Sequence, residues 1–365
     1  MQQQEGAGKM NTSGQGLIGI TMGCPVGIGP EIILRFFADL KAQCPYIPVV
    51  IGDMGQLKRC ARELQIGIDI VPWLNDAPVD AGKLLVFEPA AGDGYLVDSA
   101  LWSWGKPNRE TGRAALVYIT EAVRLIRQGT LDGMVTGPIA KHAIQSAGCS
   151  FPGHTEMLAS LCGVKNYGMM MAGERLKVSL VTIHIPFAQV SAKLTRMEIL
   201  RVINLTGETL SRDFGLPRPR IAVAGLNPHS GESGLFGEEE IKVIGPAVRE
   251  AATGKWQVSG PYPPDTVFMK ALAGNYDAVV AMYHDQGLIP FKLIHFEDGV
   301  NLTMGLPIVR TSVDHGTAYD IAGRGVASAS SLAAAFFMAS DIIDNRKTNS
   351  QQRFFPGKNM TGTTS

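Results

Sequence analysis

The sequence has no excess of charge of either sign. Its 33 Lys and Arg offset 33 Asp and Glu, for a formal net charge of zero. A protein that holds nucleic-acid phosphates non-specifically would carry a basic surplus, so nucleic acid is not an expected partner. No apolar run reaches the ~18–20 residues that span a bilayer, so no membrane partner is expected either. The stretch Met1–Gly16 is polar and lacks the apolar core of a signal peptide; it reads as a flexible tail. The five cysteines (Cys24, Cys44, Cys60, Cys149 and Cys162) are odd in number, scattered and without a C-x-x-C pair. That argues against a disulfide framework or a cysteine-based zinc site and favours free thiols in a reducing, cytoplasmic setting. What is present is 45% hydrophobic and 18% charged residues, enough to bury a large core. The length of 365 residues predicts about two domains of roughly 150 residues each. The 42 glycines are spread along the chain and signal many tight turns.

Short apolar runs alternate with amphipathic stretches. Strands are predicted at Leu17–Thr21, Ile47–Ile51, Lys83–Phe87, Asp132–Thr136, Tyr167–Ala172, Leu176–His184, Arg220–Ala224, Ala278–Met282 and Pro307–Thr311. Helices are predicted at Glu31–Leu40, Arg109–Arg127, Arg196–Asp213, Glu238–Ala252, Asp265–Ala273 and Ser331–Asp344. The alternation implies an α/β architecture with mostly parallel pairing. The quick return through Gly173 implies antiparallel pairing near the middle. Arg346–Ser365 is polar and reads as a second flexible tail.

Ligand sites in α/β folds gather at strand C-terminal ends. Three predicted strands are followed by a histidine: His184, His229 and His284, spaced 45 and 55 residues apart. Each alone suits a hydrogen-bonded structural role. At equivalent strand ends they also suit a three-imidazole metal site with an open position. His154-Thr155-Glu156 stands at a predicted helix start, where it would either hold an anion or provide a simple cap by Thr155. Arg310 closes a predicted buried strand, where an unpaired charge is costly, and a phosphate or carboxylate would offset that cost. Lys292 and Asn301 lie in the same region. Asp265 and Asp285 are its carboxylates, suited to proton transfer or metal-adjacent roles, with Asp265 alternatively a helix cap. Gly23, Gly27 and Gly29 in the first loop match neither a Rossmann nor a Walker pattern and read as a tight turn. His315–Gly325 carries three glycines in eleven residues, fitting an ordinary connection or a loop around a planar group.

Together the segments TMGCPVGIGPEI (Thr21–Ile32), PGHTEML (Pro152–Leu158), HIP (His184–Pro186), GLNPHSGE (Gly225–Glu232), GPYPPDT (Gly260–Thr266), MYHDQG (Met282–Gly287) and GVNLTMGLPIVRTSVDHGTAYDIAGRG (Gly299–Gly325) resemble the 4-hydroxythreonine-4-phosphate dehydrogenase family of pyridoxal phosphate biosynthesis. The resemblance runs from about Leu17 to Asp344. The last segment is also similar to the cofactor loop of isocitrate and isopropylmalate dehydrogenases.

The resemblance implies an isopropylmalate-dehydrogenase-like fold, with two α/β domains flanking a cleft and a homodimer that shares its active sites. The implied division is 17–138 plus 300–345 for the domain with the cofactor loop, and 139–299 for the domain with the metal site and dimer interface. The implied reaction is NAD- or NADP-linked oxidation of 4-phosphohydroxy-L-threonine at C3, then decarboxylation to 3-amino-2-oxopropyl phosphate. One divalent metal (Zn, Mg or Co) per site would be held by His184, His229 and His284, one of them from the partner subunit. Substrate contacts fall on His154, Thr155, Lys292, Asn301 and Arg310. Cofactor contacts fall on His315, Gly316, Thr317, Ala318, Asp320 and Gly323. Asp265, Asp285 and Lys141 are candidates for proton transfer or for orienting other groups. Family members carry Asp where this chain has Cys24. That substitution opens an alternative substrate, a phosphorylated sugar acid (4-phospho-D-threonate or 4-phospho-D-erythronate) with a hydroxyl in place of the amine. A metal hydrolase fits the histidines but gives no reason for the His315–Gly325 loop. A non-catalytic binder gives no reason for the histidines.

Overall fold

In the computed structural model, which describes residues 15–40, 44–74, 79–90 and 102–354, the apolar runs assemble into one twelve-stranded sheet. The strands are β1 (Gly16–Thr21), β2 (Tyr46–Ile51), β3 (Ile70–Pro72), β4 (Leu84–Phe87), β5 (Gly133–Thr136), β6 (Gly168–Ala172), β7 (Lys177–Leu180), β8 (Arg220–Ala224), β9 (Gln257–Tyr262), β10 (Ala278–Ala281), β11 (Val300–Met304) and β12 (Arg310–Val313). Their order is β3-β4-β2-β1-β5-β12-β11-β6-β7-β10-β8-β9. Pairing is parallel from β3 to β12 and again from β7 to β9. It is antiparallel at β12-β11, β11-β6 and β6-β7. The two parallel halves therefore run in opposite directions and meet at a seam. Strands such as β2 and β5 are buried at every position, as parallel strands covered on both faces must be.

The clearest helix, Arg109–Arg127, follows from its sequence in full. Asn108 and Thr111 form a reciprocal capping box, and Arg124 and Arg127 oppose the negative end of the dipole. Its apolar stripe, including Tyr118, Ile119 and Ala122, is buried.

Several boundaries differ from expectation. The run Leu176–His184 is a strand only over Lys177–Leu180; beyond it the chain leaves the sheet toward Pro186, so His184 sits on a loop. The strand predicted at Pro307–Thr311 is displaced to Arg310–Val313, because Pro307 has no N–H for a ladder. Arg310 thus opens a strand rather than closing one. The helix expected at Glu238–Ala252 contains a π-turn at Glu240–Ile244 before α-helix resumes at Gly245. The C-terminal helix runs from Ser330 to Phe354, through the start of the expected tail. Here polar composition misleads: Arg346 bonds the buried Asp213 at 2.7 Å, and Asn345 donates to the Asp213 carbonyl. The tail predicted at Met1–Gly16 lies outside the described residues except for Gln15 and Gly16, the latter in β1.

Asp213 is 1% exposed and also bonds Arg212 at 2.7 Å. Burial alone would raise its carboxyl, but the Arg212 and Arg346 bonds outweigh this and hold it below the usual range. A depressed carboxyl contributes stability that is present above its unfolded value and lost as pH falls through the folded one. Asp213→Ala is expected to cost about 2–4 kcal/mol in urea unfolding near pH 7. Its deficit relative to the parent should shrink as the pH is lowered toward 3.

Candidate functional site

Arg310 begins at the seam. It is 2% exposed, and its guanidinium donates to Thr136 Oγ1 of β5 at 2.7 Å and to Thr303 Oγ1 of β11 at 2.8 Å. Asn301 Oδ1 lies at 3.5 Å. Among the described residues, no carboxylate is hydrogen-bonded to it. Burial lowers the guanidinium to about 9, with Glu156 acting in the opposite direction, so it stays charged at neutral pH. A buried cation satisfied only by neutral oxygens is left to attract an anion.

His154 opens the helix His154–Cys162. Its Nε2 is shielded from solvent and has no partner among the described residues. Burial, reinforced by the Arg310 charge, holds its imidazole well below the ordinary value, so the ring is neutral. The residue before the helix is Gly153 and no side chain caps it, so Thr155 is not a cap. The first turn instead presents uncapped N–H groups beside His154 and Thr155, an arrangement suited to an oxyanion.

His184 and His284 come together with ring centroids 5.5 Å apart. Burial lowers the His184 pKa, helped by Lys141 and His284, which favours the neutral ring with one nitrogen able to donate a lone pair. Asp285 Oδ1 lies 2.7 Å from His284 Nδ1, which leaves Nε2 as the ring nitrogen open to a ligand. His229 stands apart. It lines a cavity of about 680 Å³ with Asn227, Glu239 and Asp265, whereas His184, His284 and Asp285 line one of about 260 Å³. Phe187, Val190 and Tyr283 wall both cavities. Among the described residues, no three His, Cys, Asp or Glu side chains converge as a metal centre within one chain. Asp265 sits in the first turn of Pro264–Leu272, but Pro263 precedes that helix without any side-chain cap, so the cap alternative is removed. His229 itself lies in a left-handed run, with φ near +53° at His229, +58° at Ser230 and +42° at Glu232. Such backbone is costly for residues with a Cβ. The buried Glu240 carboxylate restrains the approach to this run by accepting from Leu226 N at 2.7 Å and Asn227 N at 2.8 Å.

Lys292 pairs with Asp314 at 3.0 Å, immediately before His315. Burial depresses His315, whose Nε2 is also shielded and has no partner among the described residues. Beyond it, a Cβ built on Gly316 would meet nothing within 4 Å, so a ligand has room to approach this backbone closely. The glycines of the first loop are explained by packing: at Gly27 a Cβ would come 2.9 Å from Thr317 O, and at Gly29 2.1 Å from Met22 O. Ile28 N donates to Thr317 O at 3.1 Å, so the first loop supports the His315–Gly325 segment. Asp320 is exposed on that segment, while at Gly323 a Cβ would strike the Trp104 ring at 2.7 Å.

Cys24 stands where family members carry Asp, on the first loop. It is 1% exposed and accepts a hydrogen bond from Tyr319. The residue that sequence reasoning passed over is Glu156. It is half-buried, makes no hydrogen bond among the described residues, and acts electrostatically on both Arg310 and His184. The only signal for it was its place beside His154-Thr155.

The chain matches the family described as pyridoxal phosphate biosynthetic protein PdxA over residues 45–339. A 4-hydroxythreonine-4-phosphate dehydrogenase of Desulforapulum autotrophicum is 51% identical over 328 residues, 90% of this chain and 96% of that one. A relative from Oceanobacillus iheyensis, provisionally named a D-threonate 4-phosphate dehydrogenase, is 40% identical over 90% of this chain and 98% of its own. The crystal structure of 4-hydroxythreonine-4-phosphate dehydrogenase from Klebsiella pneumoniae superposes with a TM-score of 0.81 at 40% identity, covering 90% of this chain and all of that one. With its isopropylmalate-dehydrogenase-like sheet and this breadth of similarity, the chain belongs to the PdxA family of dehydrogenases.

Proposed function

We propose that the protein oxidises 4-phosphohydroxy-L-threonine at C3 with NAD or NADP and a divalent metal, and that the keto acid formed loses CO2 to give 3-amino-2-oxopropyl phosphate. The observation that carries the reading is Arg310, a buried guanidinium held by hydroxyls and left without a carboxylate, beside the unpartnered Nε2 of His154. Arg310, Lys292, Asn301, His154 and Thr155 bind the doubly anionic substrate and orient its C3 hydroxyl. The imidazoles of His184 and His284 fit a borderline cation such as Zn or Co, and Asp285 fixes the His284 ring. A cation held there supplies Lewis acidity at the hydroxyl being oxidised, and the nicotinamide supplies the hydride acceptor. Lys141, near His184, and Asp265, near His229, are the groups able to carry the departing proton. In this reading the domains are 17–138 plus 300–345 and 139–299, joined where β11 of the first pairs with β6 of the second.

His229 completes the metal site from a second subunit in this reading. Phe187, Leu235, Phe236, Ile289, Leu293 and Phe296 are exposed apolar side chains on or next to the loops and helix that carry these histidines, and they supply apolar surface for a homodimer contact. A His184→Ala chain and a His229→Ala chain, each inactive alone, should regain about one quarter of parental activity when co-refolded. Random pairing makes half the dimers mixed, each with one intact site of two. No recovery would remove the shared site.

Glu156 bears on the choice of substrate. An unpaired carboxylate in a cationic site has use for an ammonium group, which 4-phosphohydroxy-L-threonine carries and a sugar acid lacks. The 40% identical relative from Oceanobacillus iheyensis supports the second reading, oxidation of 4-phospho-D-threonate or 4-phospho-D-erythronate. Chelator-treated protein should form NADH or NADPH, followed by absorbance, from the amino substrate only after divalent metal is restored. Turnover of a sugar-acid phosphate in its place would establish the second reading. In the same assay, Glu156→Gln should raise KM for the amino substrate about ten-fold or more while sparing any sugar-acid turnover. Equal loss on both substrates would exclude an ammonium contact.

A further inference from the structure

We propose that Tyr319 and Cys24 form a latch that positions the dinucleotide loop, so that Cys24 serves cofactor affinity and not substrate choice. The inference rests on the reading of His315–Gly325 as that loop. The loop is anchored at both ends. At its start Thr317 O accepts from Ile28 N at 3.1 Å. At its close the fully buried Glu31 carboxylate accepts from Gly325 N at 3.2 Å and Ala327 N at 2.8 Å, and Arg35 bonds the Gly325 carbonyl. Between these anchors the backbone makes an unfavourable turn, with Ala318 at φ +40°. The next residue, Tyr319, donates its phenol O–H to Cys24 Sγ at 3.2 Å.

Cys24 is itself immobilised. Its N–H donates to Pro138 O at 2.8 Å, and its carbonyl accepts from Gly27 N at 3.1 Å. Burial pushes its thiol up, so the sulfur remains a neutral, weak acceptor and is a poor nucleophile. The phenol is likewise raised by burial and by the thiol. The latch therefore joins a strained turn of the loop to the fixed turn after β1 through one neutral hydrogen bond. Gly105 closes the other side: its N–H donates to Val26 O, and a Cβ there would lie 2.7 Å from Tyr319 O.

Trp104, packed on Gly323 of the same loop, provides a probe that needs neither metal nor substrate. NAD+ and NADP+ are titrated against its fluorescence in the parent, Tyr319→Phe, Cys24→Ala, Cys24→Ser and the Tyr319→Phe/Cys24→Ala double variant. Tyr319→Phe and Cys24→Ala should each weaken binding of the preferred dinucleotide about three- to ten-fold. Cys24→Ser, which restores an acceptor, should recover most of that loss, and the double variant should be no worse than either single one. In turnover assays the dinucleotide KM should rise while kcat at saturation and the KM of the phosphorylated substrate hold. Unchanged dinucleotide binding in Tyr319→Phe, additive losses in the double variant, or a Cys24 variant that alters only the substrate KM would each overturn the latch. A parent protein that binds neither dinucleotide would overturn the dehydrogenase reading, and the latch with it.

Discussion

The guanidinium of Arg310 sits where the two parallel halves of the sheet meet, held by Thr136 on one side and Thr303 on the other. Withdrawing a charge from water costs several kcal/mol, and hydroxyl acceptors return only part of that. The residual attraction for an anion organises what surrounds it. It reinforces the burial that keeps His154 neutral, lies close to the uncapped helix start at Gly153, and makes the unpaired Glu156 carboxylate tolerable nearby. The reversal of strand direction matters for the same reason. It brings the end of β5, the body of β11 and the start of β12 to one point, which no single parallel array would do.

From that point electrostatic neighbours lead through Glu156 to His184 and then His284. His284 in turn acts on Asp314, which joins Lys292 and His315 at the entrance to the glycine-rich loop. The residues proposed for substrate, metal and dinucleotide thus lie along one chain of electrostatic neighbours, as the proposed hydride transfer between aligned groups requires. The glycines of the first loop belong to the scaffold of this arrangement, since they allow backbone to lie against Thr317 and Met22.

Much of this was legible in the chain. Arg109–Arg127 carried its own caps and stripe, and the three histidines did follow β7, β8 and β10. The charge at Arg310 in an apolar run already called for an anion. Other elements were hidden. The strands β9 and β11 contain Ser, Gly, Pro, Asn and Thr, which break the apolar pattern. The helix His284–Ile294 contains Pro290, which ordinarily argues against helix interior. Arg346 looked like part of a solvated tail because its buried partner, Asp213, is 133 residues away.

The sequence by itself determined the α/β class, the segments that cover strand ends, and the residue types able to bind phosphate, metal and dinucleotide, because these depend on local periodicity and side-chain chemistry. The tertiary structure alone decided which of those residues meet. It paired His184 with His284 and left His229 on a neighbouring cavity, set Cys24 against the Tyr319 hydroxyl, and brought Glu156 to Arg310. Proximity between residues far apart in the chain is set by strand order and by which half of the sheet each strand joins, and neither is encoded in any local window.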